Sequence, residues 1–328
     1  MNIAHHLYEL KSAEPLGARS QGRVRQGALL RIQKEGGEIG YADLHPWAEL
    51  GDLPLAEQLT GLARGETTAL SEASLAFAAL DAQARANRVS LWSGLTVPES
   101  HFLLPSIDES GYKLLEAALT EGFTHFKIKL GKDLDLEKPR LLKLCKFIGD
   151  LSVTSGDSPK LRLDYNETLT AAQFAEYFAG LEELQPCIDF IEDPFPFQAA
   201  EWSEISARFG VSFALDRAGM IEAALGFEGI RIHKPALAGP SGVPERHTGR
   251  LVVTSYLDHP LGQLCAAWVA AHLTPEARNE RHGLVSHRVY ARNQFSEQLG
   301  WNGPRLSVPE GTGFGFDEEL AALDWKLL

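Results

Sequence analysis

From about residue 100 onward, short apolar runs recur along the chain: HFLLPS, THFKIKL, KLRLDY, IDFIED, VSFALD, GIRIHK and RLVVTS. Each is followed by a stretch whose apolar residues keep helical spacing, and a weaker eighth run lies near HGLVS. Strands alternating with helices predict a parallel sheet, and about eight of them suggest closure into a barrel. An open doubly wound sheet is the alternative; no Gly-rich phosphate fingerprint follows the first strand to favour it, although that absence does not exclude the open topology. The first hundred residues have a different texture. ALLRIQKEGGEIGYADL, residues 28–44, reads as two strands around a Gly36-Gly37 turn, and LSEASLAFAALDAQARAN, residues 70–87, as an amphipathic helix. The expected class is therefore α/β, a (β/α)8-type barrel with an N-terminal α+β capping domain. Its expected parts are a capping domain over 1–98, a barrel over 99–287, and a Gly/Pro-rich segment over 288–328 that returns to pack against the capping domain.

Against this pattern the placement of charge is informative. Lys129, Asp164, Glu192, Asp216 and Lys234 each fall at or near the C-terminal end of a different expected strand. In a (β/α)8 barrel those ends form the active-site face. The carboxylates are 28 residues (192 minus 164) and 24 residues (216 minus 192) apart, each close to one βα unit, so successive strands bring them side by side. Taken singly, an acid at a strand end is as readily a helix N-cap or one half of a surface pair. Three converging carboxylates repel one another and remain partly protonated unless a cation neutralises them, which points to a hard, oxygen-liganded divalent ion. Lys127 and Lys129 lie two apart in one strand and so point to the same side, while Phe126, Ile128 and Leu130 cover the other. Two ammonium groups confined there are expected to depress each other's pKa, preparing Lys129 as a general base. Strands two and six of eight are opposed, which sets Lys234 across from Lys129.

Composition narrows the picture further. At 328 residues, with 44% hydrophobic and 23% charged residues, the chain has the make-up of a folded globular protein. A net charge of -13 and a pI near 5.3 argue against nucleic acid or an anionic membrane as partner and leave a small-molecule carboxylate as the expected one. No apolar run reaches bilayer length and no secretory leader opens the chain, so a cytoplasmic location is expected. Cys145, Cys187 and Cys265 lack zinc-type or redox-type spacing and read as small core residues in a reducing compartment. Monomer and homo-oligomer are equally open.

These residues resemble those of the enolase superfamily, in its muconate-lactonising subgroup, over nearly the whole chain. FKIKLG, RLDYNETLT, FIEDP, ALDRA, HKPALAG and VVTSYLDHPLG are similar in order and approximate spacing to the o-succinylbenzoate synthase family. The resemblance implies an enolase-like fold and Mg²⁺, with Mn²⁺ as a substitute, on Asp164, Glu192 and Asp216. It implies that Lys129 abstracts the proton α to a carboxylate, that Lys127 tunes it, and that Lys234 stabilises the intermediate from the other side. The implied reaction is a syn-dehydration forming o-succinylbenzoate in menaquinone biosynthesis. A dipeptide epimerase or N-acylamino acid racemase is the rival enzyme, and a non-catalytic metal-stabilised binding protein the rival class. The family commonly has an acid after the third ligand, whereas Arg217 stands here; the seventh-strand segment has Thr254, Ser255 and Tyr256, then Asp258, His259 and Pro260. Both departures bear on substrate identity.

Further candidates are weaker. Arg162 shares the inward face of Asp164, where it meets either a substrate carboxylate or an internal acid. Ser255 is a candidate substrate contact. Asn166 and Asp193 resemble residues that orient the metal ligands, and each also reads as a turn or cap residue. Arg25, placed in a loop, is expected either to close over substrate or simply to be solvated. His5, His6, His282 and His287 show no ligand-like arrangement.

Overall fold

The computed structural model describes residues 1–12, 16, 23–155, 159–217, 227–242, 247 and 249–328, with backbone alone for 151–155. By their contacts these form two compact units, one of residues 1–99, 234–244 and 253–328, the other of residues 100–233 and 245–252. The segment expected to form the barrel is thus divided between them, because everything from Val253 onward groups with the N-terminal residues.

In the first unit, β1 (Asn2–Lys11), β2 (Val24–Gln33) and β3 (Ile39–Leu44) form an antiparallel sheet, extended beyond β1 by the short β11 (Lys326–Leu327). The turn between β2 and β3 needs a left-handed residue, which Gly37 supplies at φ 89°. Gly40, Ala42 and Leu44 alternate inward along β3 and meet the helix α1 (Ala69–Ala86). A Cβ at Gly40 would lie 1.9 Å from the Ala78 carbonyl oxygen, so glycine is what allows strand and helix to touch. The start of α1 is closed by a reciprocal Thr68/Ser71 capping box. The helix α2 (Pro260–Ala271) is buried nearly all round and lies on β3, which explains why a segment so late in the chain belongs to this unit. Asp81, fully buried in α1, accepts from the Tyr41 and Phe314 amides and pairs with Arg85, anchoring the GTGFGF segment.

The same unit contains a buried acid pair that its apolar surroundings do not neutralise. The Oδ2 atoms of Asp43 and Asp258 both lie within 2.7 Å of the point a Cβ on Gly262 would take. Burial pushes the Asp43 carboxyl up to about 7 despite donors from Tyr8 Oη and the His259 amide, and burial together with Asp43 raises Asp258 well above the carboxylate range. A carboxyl raised on folding stabilises fully below its unfolded pKa, and that stabilisation is lost as pH rises through the folded value. Unfolding free energy is therefore expected to fall by about 1.4 kcal/mol per pH unit between roughly pH 5 and 7 from each of the two carboxyls. Asp258→Asn, which removes one of the two titrating groups, is expected to make the slope shallower. Urea midpoints for the two proteins at several pH values test this, and parallel slopes would overturn it.

The second unit is built on a curled parallel sheet in the order β10-β9-β8-β7-β6-β5-β4. Its strands are β4 (Phe102–Leu104), β5 (His125–Lys129), β6 (Lys160–Asp164), β7 (Ile188–Glu192), β8 (Phe213–Leu215), β9 (Ile230–His233) and β10 (Leu251–Val253). All seven apolar runs read from the sequence are strands. The eighth run, near residue 283, forms a single parallel bridge between Thr254 and Gly283, both grouped with the first unit. Phe190, Ala214, Ile230, Ile232 and Val252 form one buried cluster between neighbouring strands. A second cluster of rings, Phe174, Phe195, Trp202 and Phe213, packs edge to face between strands and helices. Among the described residues no helix is long and apolar enough to cross a membrane.

Candidate active site

Parallel pairing fixes the heights of the functional side chains. In the register of β5, β6 and β7, Lys129 stands opposite Asp164 and Asp164 opposite Glu192. Three chemistry-bearing residues thus share one rung at the C-terminal end of three adjacent strands. Glu192 stands opposite Ala214 in β8, and Asp216 follows one residue beyond that strand's end.

Lys127, one inward position lower, reaches up to this rung. Its Nζ lies 2.7 Å from both Glu192 carboxylate oxygens and 3.0 Å from Asp164 Oδ2. Burial works against its charge, but Asp164, Glu192 and Asp216 outweigh burial and lift its pKa above the ordinary lysine value. This corrects the expectation that Lys127 and Lys129 depress each other: for Lys127 the acids dominate, and it is firmly an ammonium. Burial and the neighbouring Asp164 and Asp216 push Glu192 up to about 7 even with Lys127 in contact. Asp164, Glu192 and Asp216 offer carboxylate oxygens alone, a donor set that fits a hard divalent cation. Among the described residues no three His, Cys, Asp or Glu side chains already surround one point; between Asp164 and Glu192 sits the Lys127 ammonium.

Asp193 and Asn166, expected to orient the acids, bond to the residues around them. Asp193 Oδ1 and Oδ2 accept from the amides of Asp216 and Arg217, each at 3.0 Å, tying the exit of β8 to that of β7. Burial, Asp216 and Glu192 raise the Asp193 carboxyl well above its ordinary value. Asn166 donates from Nδ2 to Asp164 Oδ1 at 2.7 Å and accepts from Arg217 Nη2 at 3.1 Å. Arg217, where the family pattern has an acid, therefore joins Asp164 through Asn166 to the Asp193 carboxylate. Asn166, Glu167 and Asp193 all have positive φ, at 51°, 56° and 41°. Left-handed non-glycine residues clustered beside such a rung are strain held in place by these hydrogen bonds.

Lys234 follows β9 as the N-cap of the short helix α3 (Pro235–Ala238) and belongs by contacts to the first unit. Its Nζ lies 5.7 Å from the centre of the Tyr256 ring. Tyr256 in turn donates from its hydroxyl to Asp52 and accepts from Trp47 Nε1 at 2.8 Å. The Arg25 guanidinium lies 3.8 Å from the Trp47 ring centre and bonds both oxygens of Glu49. Arg25 is thus not a loop residue but part of β2, opposite Leu10 of β1, because the alternation of β2 begins before the apolar run that marks it. Trp47, Glu49 and Asp52 carry no sequence signal for this network, since Trp47 and Tyr256 are 209 residues apart.

Arg162 meets an internal acid. It has no solvent exposure; Nε bonds Asp189 Oδ2 at 2.8 Å, Nη1 lies 3.0 Å from His101 Nδ1, and the guanidinium rests on Phe190. Ser255 is buried with its Oγ against Ser286 Oγ. His282 and His287 serve structure: His282 Nδ1 accepts from the Val253 amide, and His287 lies between Gln263 and the Gly300 carbonyl.

Residues 3–84 match the family model described as O-succinylbenzoate synthase, N-terminal domain. The whole chain is similar to the o-succinylbenzoate synthase of Bdellovibrio bacteriovorus, 33% identical over 340 aligned residues that cover 100% of this chain and 99% of the relative. Among solved structures it is similar to a muconate lactonizing enzyme from Pseudomonas fluorescens complexed with muconolactone, with a TM-score of 0.77 and 18% identity over 98% of this chain and 97% of that one. It is also similar to a dipeptide epimerase from Enterococcus faecalis complexed with Mg and the dipeptide L-Leu-L-Tyr, with a TM-score of 0.74 and 16% identity over 96% and 98%. At such identities the structural likeness establishes the fold alone, a (β/α)8-type barrel with an N-terminal α+β domain.

Proposed function

Because the chain belongs to the o-succinylbenzoate synthase family of the enolase superfamily, and is a carbon-oxygen lyase, we propose that it performs the Mg²⁺-dependent syn-dehydration of 2-succinyl-6-hydroxy-2,4-cyclohexadiene-1-carboxylate to o-succinylbenzoate in menaquinone biosynthesis. The observation that supports this most directly is the shared rung of Lys129, Asp164 and Glu192. The α-proton of a carboxylate is very weakly acidic, so a base must sit beside the charge that stabilises the developing enediolate. In this reading Lys129 takes the α-proton at Nζ and returns it to the leaving hydroxyl on the same face. Asp164, Glu192 and Asp216 would hold Mg²⁺ or Mn²⁺, which supplies Lewis-acid stabilisation of the substrate carboxylate when bound. Lys127 keeps Asp164 and Glu192 in register, Asp193 and Asn166 fix the chain segments that carry the acids, and Lys234 stabilises the intermediate.

The test follows ultraviolet loss of the cyclohexadiene on mixing the purified protein with this substrate. Rapid loss in Mg²⁺, abolished by EDTA and restored by excess Mg²⁺, is the expected result. No turnover by folded, metal-bound protein would overturn the assignment and direct attention to dipeptide and N-acylamino acid epimerisation, which also uses two lysines.

A further inference from the structure

Two cysteines that are 42 residues apart in sequence (187 minus 145) meet in the second unit. Cys145 lies in the middle of the helix Leu134–Ser155, and Cys187 ends the 3-10 turn Glu182–Cys187 that packs against that helix and leads directly into β7. The Cys187 Sγ is 3.9 Å from the Cys145 carbonyl oxygen, and the Cys145 Sγ is 3.7 Å from the Glu183 carbonyl oxygen in the turn that carries Cys187. Both are free thiols. Neither takes part in the proposed reaction: Cys187 precedes the first residue of β7, at the opposite end of that strand from Glu192.

We propose that Cys145 and Cys187 form a peroxide-responsive dithiol that closes reversibly to a disulfide, fastening the helix to the base of β7.

The two sulfurs have unequal roles. Cys187 is held down at about 7 against burial, first by the neighbouring Cys145 and then by the Lys160 ammonium, which bonds the Pro186 carbonyl next to it. Cys145, beside Cys187 and partly buried, is raised. The thiolate is the reactive form, so Cys187 is the attacking sulfur. Its thiolate attacks one oxygen of a hydroperoxide; the O–O bond breaks, hydroxide leaves and takes a proton, and Cys187 becomes a sulfenic acid. The Cys145 thiol then attacks that sulfur, the S–S bond forms and water leaves. In sum, two thiols are oxidised by two electrons and one hydrogen peroxide is reduced to two waters. Cys265, fully buried in α2, is the internal control.

The test treats the full-length protein with hydrogen peroxide and counts thiols under denaturing conditions, with peptide mapping of the products. The expected result is a fall from three thiols to one, a Cys145–Cys187 crosslinked peptide, and reversal by dithiothreitol. Closing this loop is expected to raise the melting temperature by about 5 °C. Dehydration of the diene should change less than twofold, because crosslinks at the N-terminal face of a barrel bear on stability. In Cys145→Ser the reaction should stop at a Cys187 sulfenic acid that dimedone traps, while Cys187→Ser should lose no thiol at the same peroxide dose. Overoxidation of wild-type Cys187 without a crosslink, crosslinking only between molecules, or three intact thiols would each overturn the proposal.

Discussion

Lys129→Ala is expected to lower kcat for loss of the diene by about a thousandfold or more, the range for removing a positioned general base. Lys129 is only half-buried and stands at the end of β5, so the variant should keep the wild-type melting temperature to within a few degrees and should still bind Mg²⁺ by calorimetry. Lys129→Arg should fail as completely: a guanidinium keeps the charge and comparable reach but stays protonated at working pH and accepts no proton. That pair of variants separates base chemistry from simple charge. If Lys129→Ala retains activity within tenfold of wild type, another group takes the α-proton and the shared rung has a different meaning.

Lys127→Met is expected to act on the same rung by another route. The Lys127 ammonium contacts both Asp164 and Glu192, with only 12% of its side chain exposed. Removing it leaves carboxylates facing one another without that charge, and breaking a buried pair costs about 3 kcal/mol or more. In EDTA the variant should therefore melt several degrees below wild type. Added Mg²⁺ should raise its melting temperature more than it raises that of wild type, because a cation on the acids then supplies charge that Lys127 otherwise supplies, and stabilisation follows from binding the folded state. Activity should fall as well, through misplaced acids. An unchanged melting temperature in EDTA, or equal Mg²⁺ shifts in the two proteins, would show that the contact with Asp164 and Glu192 contributes no net stabilisation.

Much of the candidate site is legible in the sequence because a parallel strand repeats its geometry. The period of two set Lys127 and Lys129 on one side of β5 with Phe126 and Ile128 on the other, as the alternating burial of that strand shows. Spacings close to one βα unit put Asp164 beside Glu192, and the strand register does so. Electrostatic environment does not follow from strand periodicity. From sequence, the two neighbouring lysines suggested mutual depression, but distance decides such a contest, and Lys127 is nearer to two carboxylates than spacing along one strand reveals. Arg162 shared the face of Asp164 as expected, yet whether it met substrate or an internal acid depended on Asp189, which lies on a different strand.

The sequence by itself determined the seven strands of the parallel sheet, their order of chemistry, the family, and the helix expected over residues 70–87 and found at 69–86, since each rests on local periodicity or on motifs of a few consecutive residues. Tertiary structure alone decided that residues 253–287 group with the N-terminal sheet, that Asp43 and Asp258 come together at Gly262, that Arg25 lies on Trp47 in a strand, and that Cys145 meets Cys187. These partners come from segments tens to hundreds of residues apart. No periodicity couples such segments, so their contacts, and the charges and thiols brought together by them, are fixed only when the chain packs.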